Sequence, residues 1–163
     1  RADVRFSDPD VLRYPVIYMT GHTRFRLDDA EVAGLRNYLA NGGVLFASAC
    51  CGRTAFDVSF RREIAKALPD GVKLEPIPLD HPLYSAHARI GTVHTSPMLA
   101  VQQPELTVPA LEGVSFEGRL AVIYSRYGVG SEWDGQERPY ALCYGEEDAL
   151  RIGTNVIVYA LTH

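Results

Sequence analysis

Val44-Leu45-Phe46-Ala47-Ser48-Ala49-Cys50-Cys51-Gly52-Arg53 is the stretch that decides the fold. An apolar run closes in small residues, two adjacent thiols and a glycine. Phe56, Phe60, Ile64 and Leu68 then recur every fourth residue, the period of a helix with one buried face. A parallel strand feeding a tight turn into a helix has this pattern, and the turn sets a side chain at the carboxyl edge of the sheet. Open α/β sheets bind their ligands at that edge.

The flanking sequence extends the same architecture. Upstream, residues 15–20 read as a buried strand ending at Gly21-His22. Asp28 and Glu31 have the spacing of a capping box, and Val32, Leu35 and Leu39 share one helical face. Gly42-Gly43 ends that helix, so residues 15–49 form one β-α-β unit. Downstream, Pro69-Asp70-Gly71 stops the second helix, and residues 72–77 read as a strand whose Pro76 suits a sheet edge. Residues 80–103 are irregular, an excursion with one or two short strands, and loops of that length are often functional. Residues 113–118 give a short strand and a glycine turn before a central strand at residues 119–124. A glycine- and aromatic-rich segment, 127–144, loops over the sheet edge. Within it Trp133-Asp134 reads as a lid or as cover for apolar surface. Glu146-Glu147-Asp148 suit a helix start. Residues 149–161 then form a buried closing helix with Ile157 in its core, although Val156-Ile157-Val158 also fits a strand. The expected fold is an α/β three-layer sandwich with a mostly parallel sheet, in which strands near Val16, Val44, Val72 and Val122 run together.

With 163 residues, 47% hydrophobic and 22% charged, the chain has the size and composition of one ordinary globular domain, spanning residues 1–163. A net charge of −4 without a basic run argues against nucleic acid. The longest apolar segment, 152–161, falls short of the ~20 residues a membrane span needs. Opening at Arg1, the chain reads as a domain excised from a longer protein. Three cysteines do not make a disulfide framework, and neighbours such as Cys50 and Cys51 rarely pair, though a bridge to Cys143 stays open.

Four strand ends carry the candidate chemistry: Gly21-His22, Cys50-Cys51, Asp80-His81 and Tyr124-Ser125-Arg126. In a doubly wound sheet all four would meet at one edge. Cys50 or Cys51 at a helix start beside Arg53 has the setting of a nucleophile, with His22 or His81 as its base. The same cysteines could equally fill a crowded turn as small buried residues. His22, His81, Cys50 and Asp80 include the donors zinc prefers, without a close paired spacing. Arg53, Asp80, Ser125 and Arg126 are candidate ligand-binding residues, and Arg24 and Arg26 could hold an anion or be plain surface charge. Gly128-Val129-Gly130 lacks the lysine-threonine pair of a phosphate loop. His87 and His94 read as solvated.

Several segments together resemble an uncharacterised bacterial domain family: residues 14–22, 35–43, 50–61 and 80–82, then Gly118 to Val122 and Gly153 to Thr162. The resemblance implies a class I glutamine-amidotransferase-like, flavodoxin-like fold and a parent protein that is membrane-anchored or secreted. It assigns no activity and no cofactor. Where the family's turn carries acids, this chain has Ser48 and Ala49. True glutamine amidotransferases add a His-x-Glu pair after a late strand, and here Ser125-Arg126-Tyr127-Gly128 follows instead. Three readings stand. The first is a module binding a small molecule or protein partner at the carboxyl edge. The second is a cysteine-dependent hydrolase or transferase using Cys50 or Cys51 with His22 or His81. The third is a metal-binding module.

Overall fold

The computed structural model describes residues 3–130 and 139–163. Trp133 and Asp134 lie outside the described residues. After a short 3-10 turn at Val11–Arg13, the chain forms β1 (Val16–Gly21), α1 (Asp29–Ala40), β2 (Val44–Ala49) and α2 (Thr54–Ala67). It continues through β3 (Glu75–Pro76), α3 (Pro97–Gln102), β4 (Leu111–Phe116), β5 (Arg119–Ser125) and α4 (Glu146–Thr162). The five strands make one sheet in the order β1-β2-β5-β4-β3.

Helices cover both faces. Leu45, Ala47 and Ala49 of β2 point into one apolar cluster with Leu35 and Leu39 of α1 and Phe56 of α2. Val44 and Phe46 point into the other, with Ile152, Val156 and Tyr159 of α4. All six residues of β2 are buried, as expected of a strand covered on both faces. The expected capping box forms: Asp28 accepts from the Glu31 amide at 2.8 Å and Glu31 accepts from the Asp28 amide at 3.1 Å. Gly43 is required because a Cβ there would lie 2.3 Å from the Tyr38 ring. That ring's hydroxyl caps the Val44 carbonyl at the start of β2.

The sheet is mixed, not mostly parallel. β1, β2 and β5 pair in parallel, but β4 is antiparallel to both β5 and β3. The cause is the two-residue turn Glu117-Gly118, with φ of 51° and 80°, which closes β4 and β5 into a hairpin. A hairpin cannot join parallel strands. β1 is an edge strand and only partly buried. The strand expected over 72–77 contracts to Glu75–Pro76, at the opposite edge, where a proline is tolerated. The irregular stretch contains a helix, α3, which the Ser96 hydroxyl caps by accepting from the Leu99 amide.

Residues 149–161 are helical, as part of α4, but Ile157 is not core: it is 46% exposed, whereas Val156 is fully buried. Buried positions 149, 152, 156 and 159 follow the helical period, and Ile157 falls off that face. Val156→Asp is therefore expected to unfold the domain or cost about 3–5 kcal/mol, as an unpaired buried charge does. Ile157→Asp should stay within about 1 kcal/mol of the parent. Thermal and denaturant unfolding of the two variants checks this, and equal losses would contradict the assigned helix phase.

Candidate functional site

β1 and β2 end level with each other, since Gly21 pairs with Ala49. One step further the ladder sets His22 opposite Cys50. Gly21 has no side chain because a Cβ would lie 2.9 Å from the Phe56 ring. β5 ends beside β2, with Ser48 opposite Ser125. Three of the four strand ends therefore meet at one edge.

The turn leaving β2 spans Cys50–Gly52. Cys51 adopts φ 52° and ψ 22°, left-handed and rare for a residue with a side chain, and Gly52 follows at φ 65°. A Cβ on Gly52 would lie 2.5 Å from that of Leu142. Two anchors hold the turn. The Leu142 amide donates to the Cys51 carbonyl at 3.2 Å. From the other side, Arg126 donates to the Gly52 carbonyl at 2.5 Å and to the Thr54 hydroxyl at 3.1 Å, and pairs with Asp57 at 3.3 Å. Ser125 is fully buried, and its hydroxyl donates to the Tyr127 carbonyl at 2.7 Å. Arg126 and Ser125 thus build the edge rather than face an opening.

Burial pushes the Tyr124 phenol well above its ordinary range, and the Asp57 carboxylate it donates to at 2.8 Å adds to the rise. Burial likewise raises Tyr18, whose hydroxyl meets Ser48 at 2.7 Å and accepts from the Gly130 amide at 3.1 Å. A Cβ on Gly130 would overlap that hydroxyl. This glycine serves close packing on β1.

A depression of about 800 Å³ opens in front of the turn, lined by His22, Cys51, Arg53, Thr54, Gln102 and Tyr140 among others. His22 and Arg53 are exposed, and Cys50 and Cys51 are partly exposed. One ligand atom each from His22, Cys50 and Cys51 lies within 4.8 Å of the other two, and the sulfurs are 3.8 Å apart, not bonded. Cys143 is buried and takes no part in a disulfide.

His81 and Asp80 are not at this edge. After Ile77 the chain turns back, with the His81 amide donating to the Pro78 carbonyl at 2.9 Å. The His81 ring packs 5.4 Å from that of Tyr159, whose hydroxyl accepts from the Leu120 amide at the start of β5. The thiols lie near the other end of that strand, about 17 Å away for five residues at 3.3 Å each. His81 caps a short turn, its Nδ1 accepting from the Leu83 amide at 3.1 Å, and burial and then His163 push its pKa down. Asp80 is exposed beside it. A second depression, of about 690 Å³, lies near the amino edge and holds Arg36, Ser115, Arg119 and His163, but no cysteine among its described lining residues.

The family model of a domain of unknown function, DUF4159, matches residues 1–161. The chain belongs to the DUF4159 family. No curated protein matches it. For this DUF4159 domain the cysteine turn and its depression are the chemically distinctive surface, and no described helix is long and apolar enough to cross a membrane.

Sequence reasoning missed the residues that hold His22 in place. Glu63, 1% exposed, accepts from the Leu27 amide at 3.2 Å, and Ser59 accepts from the Phe25 amide at 3.2 Å. Arg62 donates to the Phe25 carbonyl at 2.6 Å. Together they tie the segment after His22 to α2. The available signal was an acid, Glu63, on the apolar face marked by Phe56, Phe60 and Ile64, with Arg62 and Lys66 beside it. Burial pushes Glu63 up, but Lys66, Arg62 and the Leu27 amide outweigh it and hold the carboxyl at about 2. A depressed folded-state pKa stabilises above the ordinary value and is lost as pH falls through the folded one. Glu63→Gln should cost on the order of 2 kcal/mol at pH 7, discounted because Arg62 and Lys66 are partly exposed. It should also flatten the decline in stability between about pH 4.5 and pH 2. Urea unfolding across that range reads both, and parallel pH profiles would contradict the assignment.

Proposed function

We propose that this domain is a ligand-binding module whose site is the depression at the cysteine turn, and that its ligand carries an anionic group. The observation that supports it is the lining. His22, Arg53 and the first turn of α2 face the opening, and no acid stands among its described lining residues. No side chain caps α2, and Thr54 and Ala55 of its first turn line the depression, so the favourable end of the helix dipole lies beside it. Asp57, in that same turn, is already occupied by Arg61, Arg126 and Tyr124. Among the described residues no ion pair engages Arg53. The parallel unit β1-β2-β5, with a cysteine turn at its carboxyl edge, also supports kinship with the class I glutamine-amidotransferase-like, flavodoxin-like folds. The absence of a His-x-Glu pair after β5 supports a departure from glutaminase chemistry.

Titrating the reduced, metal-free protein with small carboxylates and inorganic phosphate, followed by amide NMR, tests the reading. Saturable shifts should concentrate at residues 51–55, and Arg53→Ala should weaken binding about ten-fold, the loss of one charge-assisted contact. Shifts scattered over the surface, or unchanged by Arg53→Ala, would refute it.

A second reading, a cysteine nucleophile with His22 as base, is favoured by the imidazole's approach to both sulfurs. The thiol would give its proton to His22 as its sulfur bonds to an acyl carbon, the acyl–leaving-group bond would break with that proton going to the leaving group, and water or an acceptor would then release the acyl group from sulfur. Alkylation separates the two. A nucleophile would react fast at about pH 6 to 7, with buried Cys143 as the internal comparison. The binding module is expected to react slowly there.

A further inference from the structure

Neighbouring residues on an extended strand point to opposite faces of the sheet. Cys50 and Cys51 do not. The left-handed backbone at Cys51 turns its side chain to the side of Cys50, and the sulfurs end 3.8 Å apart. That conformation is unfavourable for a residue with a Cβ. The third member, His22, comes from the adjacent parallel strand, one step past the Gly21–Ala49 pair.

We propose that Cys50 Sγ, Cys51 Sγ and a ring nitrogen of His22 bind a borderline-soft divalent cation of the zinc class, leaving one coordination position open toward the depression. This deepens the ligand-binding reading and rests on it for what fills the fourth position. The distances fit the ion. Two sulfurs at about 2.3 Å from a tetrahedral zinc are about 3.8 Å apart, the separation found. A nitrogen at about 2.0–2.1 Å from the same ion is about 3.5 Å from each sulfur, a small closure from the 4.8 Å within which all three ligand atoms lie. Two sulfurs and an imidazole suit zinc over magnesium or calcium, which take oxygen ligands. Three protein ligands with an open position is the arrangement of reactive or exchangeable zinc sites, not of closed structural ones. As the two sulfur–metal bonds form, the two thiol protons pass to the buffer.

Cobalt(II) reports the site directly. Reduced, metal-free protein titrated with cobalt should take up one ion per chain. Sulfur-to-cobalt charge-transfer absorption and intense visible bands of tetrahedral cobalt should appear, and zinc should erase both. Cys50→Ser and Cys51→Ser should each weaken binding at least about ten-fold and cut the charge-transfer intensity, and His22→Ala should weaken it while keeping the sulfur bands. Cys143→Ala should change neither. Should a serine variant fail to fold, the unaltered protein still decides the matter: zinc should protect Cys50 and Cys51 from alkylation. Absence of charge-transfer absorption with all thiols reduced, or an unchanged spectrum in Cys50→Ser and Cys51→Ser, would overturn the proposal. Anion-induced shifts dependent on Arg53 in the metal-free protein would then leave the ligand reading standing. A cobalt site without such shifts would sink that reading and keep this one.

Discussion

β2 is paired on both sides and covered on both faces, and the carboxyl edge is shaped by how the chain leaves it. A strand in that position has no slack. The backbone groups of the next residues must find partners at once, because unpaired buried amides and carbonyls are costly. Leu142 and Arg126 supply those partners, one from each side of the turn. The reversal is too tight for right-handed backbone throughout, so Cys51 and Gly52 take positive φ. The exposed Arg53 and the uncapped start of α2 follow from that reversal, and so does the convergence of two sulfurs on His22.

The charges around the turn divide into those already engaged and those facing the opening. Asp57 accepts from Tyr124, Arg61 and Arg126, and Arg61 also makes a bidentate pair with Glu112 at 3.0 and 2.5 Å. Two arginines and two carboxylates balance within this cluster. Asp57 is the acid in the first turn of α2, and its oxygens are committed to Tyr124, Arg61 and Arg126. Removing it would strand the Tyr124 hydroxyl in a buried setting, where a lost partner costs about 1–3 kcal/mol. Its role is to join the end of β5 to the start of α2, and so to fix where Arg126 meets the turn.

Local rules were legible in the sequence and long-range ones were not. The Asp28–Glu31 box, the glycine stop after α1 and the β2–turn–α2 unit depend on residues a few positions apart, and each forms. Glu117-Gly118 marked a hairpin just as plainly, and a hairpin already entails an antiparallel pair. The expectation of a mostly parallel sheet set aside that signal. Ser96-Pro97 was a readable helix start as well, a capping serine before a proline at the first helical position. His81 was beyond reach, because its position depends on the turn at Pro78 carrying the chain back toward Tyr159. Ile157 misled for another reason. Leu150, Ile157 and Leu161 are exposed on the outer side of α4 and blur the contrast that marks a buried face.

A cation site beside an arginine and a helix N-terminus sets like charges close together. The balance depends on what the ion meets. Two cysteines bind as thiolates and the imidazole binds neutral, so a divalent ion in this trio cancels the two sulfur charges. The rim then keeps its own positive character from Arg53 and α2. In the metal-free state, any thiolate on the floor would repel an anion that the rim attracts. Filling the floor removes that repulsion and adds an open coordination position. Cation and anion therefore favour each other, and linkage makes the effect reciprocal: whatever factor the ion adds to the anion's affinity, the anion returns to the ion's. The left-handed backbone at Cys51, which puts both sulfurs on one side, is the structural source of that coupling.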